Sequence, residues 1–121
     1  MLLSYWMIFV AALLPYSVVG IFKSQKDYDN ANPRAWEKTL TGIRQRAHAC
    51  ENNHFEAFAP FAAAVIVAQL KGAGQHHINL LAVSFIAIRV AYTIAYLADV
   101  PKLRTPLWIA GFGVVIALFV S

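Results

Sequence analysis

Ionisable and hydroxyl side chains recur at helical spacing in two stretches of this sequence that otherwise contain many apolar residues. The two polar sets are Arg46, Asn53 and Glu56 in the first stretch and Arg89, Tyr92 and Tyr96 in the second. Within each set the residues follow one another at intervals of three, four or seven positions, so each set lies on one face of a helix. Because charged side chains in lipid need polar partners, we expect the two faces to point toward each other or toward a shared cleft.

Two interpretations of these polar faces stand side by side. In the first, Glu56 forms an ion pair with Arg89 and thereby fixes the packing of two helices. In the second, the excess of basic and hydroxyl groups over acids binds an anionic polar ligand. Arg104, eight residues after Tyr96, would contribute to such a site or else serve as a basic anchor at the membrane edge. Ionisable residues within membrane spans usually serve function, which favours the ligand site.

The single cysteine and the histidines predict no metal or disulfide site. Cys50 has no second cysteine to pair with, and a small buried side chain is favoured over a reactive thiol because nothing in the sequence indicates thiolate stabilisation. His48 and His54 are expected at a helix surface or interface. His76 and His77 are adjacent, so on a helix they would point about 100° apart, and we expect them in a solvated loop.

Composition places the chain among membrane proteins. Sixty per cent of its residues are hydrophobic and 13% are charged, with a mean hydropathy of +0.56, whereas soluble domains have about 25% charged residues. The length of 121 residues suits one domain. The net charge of +4 comes from basic residues in the short joins between apolar runs, a pattern typical of membrane orientation rather than of nucleic-acid binding.

Four apolar runs predict an all-α integral-membrane domain, a bundle of four transmembrane helices. The predicted spans cover residues 1–22, 33–71, 78–98 and 104–120. The first run has neither a preceding basic residue nor a clean small-x-small cleavage site, so a span with a kink at Pro15 is favoured over a cleaved signal peptide. The first and third joins, with the helix start that follows the first, place six basic residues on one face, whereas the opposite face has Lys71 alone; the six are Lys23, Lys26, Arg34, Lys38, Lys102 and Arg104. This asymmetry predicts that the loops 23–32 and 99–105 are cytoplasmic and both termini outside.

The second predicted helix is longer than a membrane is thick. It is expected to start at Pro33 and to continue to Gly72, with Gly42 and a kink at Pro60 as its only interruptions. Such a helix would measure on the order of 55–60 Å at 1.5 Å per residue. Because a hydrocarbon core is about 30 Å thick, the first part of this helix should protrude beyond the lipid.

Several ordered motifs resemble one known family. They are DNANPR over 29–34, Arg46-Ala47, NHFEAF over 53–58 running into PFAAAVIVA over 60–68, and RVAYTIAYLADVPKLRTPLW over 89–108. Their order and spacing, over nearly the whole chain, resemble the MAPEG proteins, the membrane-associated proteins of eicosanoid and glutathione metabolism. The chain is similar to the short bacterial members of that family, which resemble microsomal glutathione transferases, so the resemblance implies a bacterial inner membrane.

The resemblance implies a four-helix protomer that assembles as a homotrimer and holds glutathione between adjacent subunits at the cytoplasmic side. By matching motif positions, glutathione would be bound by Asn53, Glu56, Arg89, Tyr92 and Tyr96. The arginine after the third helix, here Arg104, would be the catalytic residue that activates the thiol. Eukaryotic members carry an arginine four residues before the asparagine, where this chain has Ala49. Arg46, one turn earlier on the same face, would take over that contact.

The leading hypothesis for function is therefore a membrane glutathione transferase that conjugates the glutathione thiolate to lipophilic electrophiles, or also reduces lipid hydroperoxides. Glutathione is expected as co-substrate, membrane lipid as surroundings, and neither a metal nor a nucleic acid as partner. Two alternatives stay open: a non-catalytic lipid-binding or scaffold protein of the same family, and a small transporter in which Glu56 relays protons.

Overall fold

The computed structural model describes residues 1–24 and 26–121, and the described part is helical without strands. Six α-helices follow one another, with a 3₁₀ segment, Leu14–Val18, between the first two. The α-helices are α1 (Leu3–Leu13), α2 (Val19–Lys23), α3 (Pro33–Glu37), α4 (Gly42–Leu70), α5 (Gln75–Leu97) and α6 (Pro101–Phe119). The all-α fold class predicted from the sequence is thus confirmed for the described residues.

Three of the helical segments are long and apolar enough to cross a membrane by length and composition. They are Leu3–Lys23, which joins α1, the 3₁₀ segment and α2, together with Gln75–Leu97 and Pro101–Phe119. The expected disturbance at Pro15 takes the form of the 3₁₀ segment, because proline offers no backbone N–H to the α-helical ladder. The other expected span, α4, carries charged residues through its first half, so its composition alone does not identify it as membrane-spanning.

The predicted continuous helix over 33–71 is wrong. The chain leaves the helical path after Glu37 and resumes it at Gly42, whose φ of +63° is readily accessible only to glycine. The reason is burial: Trp36 and Leu40 pack with Phe22 in a small apolar cluster beside the start of α4. A straight helix would have carried Trp36 away from Phe22. Farther along, α4 continues without interruption through Pro60.

The ends of α5 and α6 also differ from the sequence expectation. The helix α5 begins at Gln75, so His76 and His77 lie in its first turn instead of in a loop. The helix α6 begins at Pro101 instead of at residue 104, which places Arg104 on a helix. Proline suits the first helical turn because its missing N–H would have no intrahelical partner there. The connection between α5 and α6 is correspondingly short.

The main core lies between α1, α4, α5 and α6. The rings of Phe61 and Phe85 stack at its centre with centroids 4.0 Å apart. Around them, small side chains such as Ala64, Ala68 and Ala82 are fully buried. In lipid, where apolar surface gains little by leaving the solvent, helix association depends on close packing, and small residues permit that approach.

A polar contact joins the end of α2 to the start of α4. The Arg44 guanidinium donates to the Phe22 carbonyl oxygen at 3.0 Å and to both carboxylate oxygens of Asp27 at 2.8 and 3.1 Å. Through these hydrogen bonds Arg44 holds the pKa of the Asp27 carboxyl below its ordinary value. The loop that follows α2 is therefore tied to α4 near the break between α3 and α4.

The positive φ of Gly42 predicts a cost for adding a side chain there. Gly42→Ala should lower the free energy of unfolding in detergent by about 1–2 kcal/mol, because an L-residue at this φ crowds its own backbone. Gly20→Ala is the matched control, since Gly20 is helical, exposed and has open space around it, and it should leave stability equal or slightly higher. Equal effects of the two substitutions on chemical unfolding would contradict this account of the break.

Candidate functional site

The buried guanidinium of Arg89 joins α5 to α4. Arg89 is only 3% exposed. Its Nη2 donates to Asn53 Oδ1 at 2.8 Å, and its Nη2 and Nε donate to His54 Nδ1 at 2.8 and 3.3 Å. The polar faces of the two helices therefore meet, as the spacing of their residues predicts.

A closed ring of hydrogen bonds holds this guanidinium in place. Arginine has no acceptor, so His54 Nδ1 must be the unprotonated ring nitrogen and Nε2 must carry the hydrogen. Nε2 lies 2.8 Å from Thr93 Oγ1, which in turn donates to the backbone carbonyl oxygen of Arg89 at 2.8 Å. The ring thus runs from the Arg89 side chain through His54 and Thr93 back to the Arg89 backbone, and it orients both side chains.

The expected ion pair between Glu56 and Arg89 is not formed in the described part of the chain. Neutral acceptors on Asn53 and His54 take the donors of Arg89 instead. Glu56, one turn after Asn53, is exposed and makes no hydrogen bond with the described residues. The predicted Glu56–Arg89 ion pair is therefore wrong.

Two tyrosines of α5 lie between Arg89 of α5 and Arg104 of α6. The Arg89 guanidinium carbon lies 4.4 Å from the centroid of the Tyr92 ring, and the Tyr92 and Tyr96 rings meet edge to face with centroids 5.6 Å apart. The guanidinium carbon of Arg104 lies 4.4 Å from the Tyr96 centroid. Cations over aromatic faces are attracted by the ring quadrupole. We call this arrangement the Arg–Tyr row; it brings Arg104 of α6 next to the face of α5 that the sequence singled out.

Arg46 reaches the same end of α5 from α4. Its Nε and Nη2 donate to the backbone carbonyl oxygen of Leu97 at 3.3 and 3.2 Å. A cation at the C-terminus of a helix interacts favourably with the carbonyl groups that have no helical partner there. Within the protomer Arg46 thus secures the end of α5. Ala49, the position of the eukaryotic arginine, lines a different cavity beside Glu37 and His48.

An open cavity of about 140 Å³ lies where α4, α5 and α6 meet. Its polar wall is formed by Asn53, Glu56 and Arg89, and its apolar wall includes Phe85, Trp108 and Phe112. Arg46, Tyr92, Tyr96 and Arg104 do not line it. The structure therefore separates the residues predicted from the sequence into a cavity group and a group that extends along α5. The cavity is smaller than the roughly 300–1,000 Å³ of most small-molecule sites.

His54 lies at a helix–helix interface, one of the two locations predicted for it, but the sequence did not indicate its part in the site: it is 2% exposed and bonded to Arg89 and Thr93. One signal was present: Arg46, Cys50 and His54 follow one another at intervals of four, which places them along one side of α4. Cys50 itself is fully buried, with its Sγ 3.5 Å from His54 Nε2, in agreement with the prediction of a small buried side chain.

Comparison with known proteins gives one match. The model of the MAPEG family matches residues 2–121, which is essentially the whole chain. Neither the curated proteins nor the solved structures yield a match.

The hydrogen-bonded ring predicts that Thr93 contributes to stability through His54. Thr93→Val keeps the shape of the side chain but leaves the buried His54 Nε2–H with only the weak acceptor Cys50 Sγ at 3.5 Å, so the free energy of unfolding should fall by about 1–3 kcal/mol. Thr105→Val is the matched control: Thr105 is exposed and makes no side-chain hydrogen bond with the described residues, so a change within about 0.5 kcal/mol is expected. Chemical unfolding in detergent measures both, and a Thr93→Val protein as stable as wild type would refute the ring.

Proposed function

Because this chain belongs to the MAPEG family, a family of membrane proteins, we propose that it is an integral-membrane glutathione transferase. In this proposal the tripeptide binds at the cavity between α4, α5 and α6 and along the Arg–Tyr row. Its thiolate is conjugated to a lipophilic electrophile that enters from the bilayer. The observation that carries the proposal is the buried Arg89 guanidinium, which has no acidic partner among the described residues although it lines an open cavity.

A buried cation without a counter-ion raises the free energy of the folded protein unless an anion or further hydrogen-bond acceptors pair with it. The two neutral acceptors of Arg89 satisfy Nε and Nη2, and its hydrogen bonds with the described residues do not use Nη1. A carboxylate of glutathione would accept from the remaining donors and neutralise the charge. Guanidinium groups bind carboxylates in this way more strongly than they bind neutral acceptors.

Glu56 supplies the complementary charge. It lines the same cavity as Arg89, is exposed, and makes no ion pair with the described residues. A ligand that carries both carboxylates and an ammonium group, as glutathione does, would place its ammonium on Glu56 and a carboxylate on Arg89. Two opposite charges held apart on one cavity wall favour such a zwitterionic ligand over a simple anion.

The other wall of the cavity suits the second substrate. Phe85, Trp108 and Phe112 present aromatic surface next to the polar wall, and Trp108 and Phe112 are stacked with ring centroids 5.6 Å apart. An electrophile dissolved in lipid would reach this apolar side without crossing water. The proposal therefore extends to lipophilic electrophiles, and to lipid hydroperoxides that the same thiolate would reduce.

The chemistry requires a thiolate at neutral pH. A free cysteinyl thiol has a pKa of about 8.5, so only a small fraction is ionised. A guanidinium beside the sulfur favours the anion and thereby lowers that pKa. We assign this role to Arg104, which the Arg–Tyr row holds against Tyr96. The proton leaves to water, the sulfur attacks the electrophilic carbon, and with an aryl halide the halide departs.

The size of the cavity supports the expected homotrimer. At about 140 Å³ the cavity of one protomer encloses only part of a tripeptide. A neighbouring subunit laid over the exposed Glu56 would cover the rest. In this arrangement α4 is the fourth membrane span and both termini lie outside. The segments 23–32, whose residue 25 lies outside the described part of the chain, and 99–105, which includes the start of α6, face the cytoplasm.

Glu56→Gln separates ligand binding from folding. Because Glu56 has no partner among the described residues, its replacement should leave the unfolding midpoint unchanged. If it holds the ammonium group, the affinity for glutathione should fall about tenfold, which corresponds to about 1.4 kcal/mol. Titration calorimetry in detergent measures the affinity. N-acetylglutathione, which lacks the ammonium charge, should bind wild type and variant equally weakly.

Unchanged glutathione affinity in Glu56→Gln would remove Glu56 from the site. If wild type itself binds no glutathione and gains no thermal stability from it, the glutathione-transferase proposal fails and the non-catalytic lipid-binding alternative takes its place.

Arg104→Ala tests thiol activation. Conjugation of glutathione to an aryl halide at neutral pH should slow by at least tenfold, while raising the pH should recover much of the loss because hydroxide then supplies the thiolate. Lys102→Ala is the matched control, since Lys102 lies two residues earlier, carries the same charge and is exposed. Equal rates for the Arg104→Ala and Lys102→Ala proteins would show that Arg104 is only a membrane anchor.

A further inference from the structure

A second group of ionisable side chains lies apart from the glutathione site, where α3 packs on the start of α4. Glu37 ends α3, and His48 and Glu51 lie one turn apart on α4. One ligand atom from each of the three lies within 4.8 Å of the other two. We refer to these three residues as the Glu–His–Glu cluster. Only the folding of α3 back onto α4 brings Glu37 to the other two residues.

The distances within the cluster resemble those around a single metal ion. His48 Nδ1 lies 2.8 Å from Glu37 Oε2 and 3.6 Å from Glu51 Oε1. Ligands that bind zinc at about 2.0–2.2 Å are separated from one another by about 3.0–3.4 Å in octahedral or tetrahedral geometry. The two separations from His48 bracket this interval, and the carboxylate atoms of Glu37 and Glu51 lie within 4.8 Å of each other, so movement of the two carboxylates would give all three atoms a common centre.

The orientation of His48 is a second observation that points to a metal site. Although its Nδ1 is 2.8 Å from a carboxylate oxygen, that buried nitrogen has no hydrogen bond of acceptable geometry. A hydrogen bond requires the N–H to point at the oxygen. Two ligands of one cation instead point their lone pairs at a third position between them. Short separation without alignment is therefore what metal ligands show.

The burial of Glu51 is a third observation that points to a metal site. This residue is 8% exposed, yet its carboxylate makes no hydrogen bond with the described residues and has only the 3.6 Å approach to His48. Lys23 lies close enough to act on it electrostatically but forms no ion pair with it. Because buried carboxylates are normally paired or coordinate a metal, this one lacks a partner that an ion would supply.

From these three observations we infer that Glu37, His48 and Glu51 bind one divalent transition-metal ion, which fastens α3 to α4. One imidazole and two carboxylates form a ligand set suited to Zn²⁺, with water in the remaining position. An open cavity of about 380 Å³ beside Glu37 and His48 gives the ion and its water a path from solvent. This metal site was not predicted from the sequence, which placed Glu37 on one straight helix with His48.

The bound ion would stabilise the packing of the break between α3 and α4. Trp36, the neighbour of Glu37, stacks on Phe22, and His48 meets the edge of the same Phe22 ring at 5.3 Å. Holding Glu37 against His48 therefore holds Trp36 in the apolar cluster. Zn²⁺ should raise the thermal midpoint of the protein in proportion to the logarithm of its concentration above the dissociation constant.

The test uses purified full-length protein in detergent, stripped with a chelator and titrated with Zn²⁺ in the absence of glutathione. Wild type should bind one Zn²⁺ per chain, gain thermal stability, and bind it equally well in excess Mg²⁺, which prefers all-oxygen sites. Glu37→Gln and Glu51→Gln should each weaken Zn²⁺ binding at least tenfold and abolish the thermal shift. Because Glu37 is at a helix end and less buried than Glu51, Glu37→Gln decides the matter if Glu51→Gln folds poorly.

The adjacent histidines of α5 provide the control. A His76→Gln, His77→Gln double variant removes the exposed imidazoles that most readily bind zinc adventitiously, and it should keep one Zn²⁺ per chain. Loss of zinc in this variant would overturn the inference, because the ion would then belong to the surface pair. Absence of binding by wild type, or full binding by Glu37→Gln, would overturn it as well and leave the cluster as ionic contacts between His48 and the two carboxylates. None of these outcomes depends on glutathione.

Discussion

The positive charge of Arg89, buried between α4 and α5 without an acidic partner among the described residues, is the constraint on which the site depends. The hydrogen-bond acceptors of an arginine in such surroundings must come from the protein or a ligand, because little water reaches it there. Asn53 and His54 provide neutral acceptors, and Thr93 returns the chain of hydrogen bonds to the backbone. Neutral partners orient the guanidinium without cancelling its charge. A guanidinium whose charge is not cancelled can still attract an anionic ligand, whereas one paired with an acid would only join the helices.

The same helix organises the remaining basic residues. Arg104 of α6 stacks on Tyr96, and Arg46 of α4 binds the carbonyl oxygen of Leu97 at the end of α5. Two neighbouring helices therefore direct arginines toward one end of α5. Several guanidinium groups at one end would repel one another in lipid if aromatic rings and carbonyl oxygens did not lie among them. The Arg–Tyr row thus packs α6 against α5 and also presents the cationic surface on which the proposed function rests.

The start of α4 shows a different use of polar residues. There Gly42 turns the chain so that Trp36 and Leu40 can be buried, and the same turn places Glu37 beside His48. At this location two carboxylates approach one imidazole, whereas Arg89 has neutral partners among the described residues. Both clusters include residues of α4, and the two proposals give them ligands of opposite charge, an anionic group at Arg89 and a cation at Glu37, His48 and Glu51. They are suited to different ligands for that reason.

The sequence alone determined the features that follow from local periodicity and composition. The helical fold, the meeting of the Asn53 and Arg89 faces, and the family all follow from spacing and motif order, because side chains three, four or seven positions apart share a face in any helix. Only the tertiary structure decided which polar side chain takes which partner. In the structure Arg89 is hydrogen-bonded to Asn53 and His54 and not to Glu56. The helix is interrupted at residues 38–41, and Glu37 lies beside His48. These outcomes depend on distances between residues far apart in the chain and on the burial of Trp36 against Phe22, and spacing along one helix contains neither.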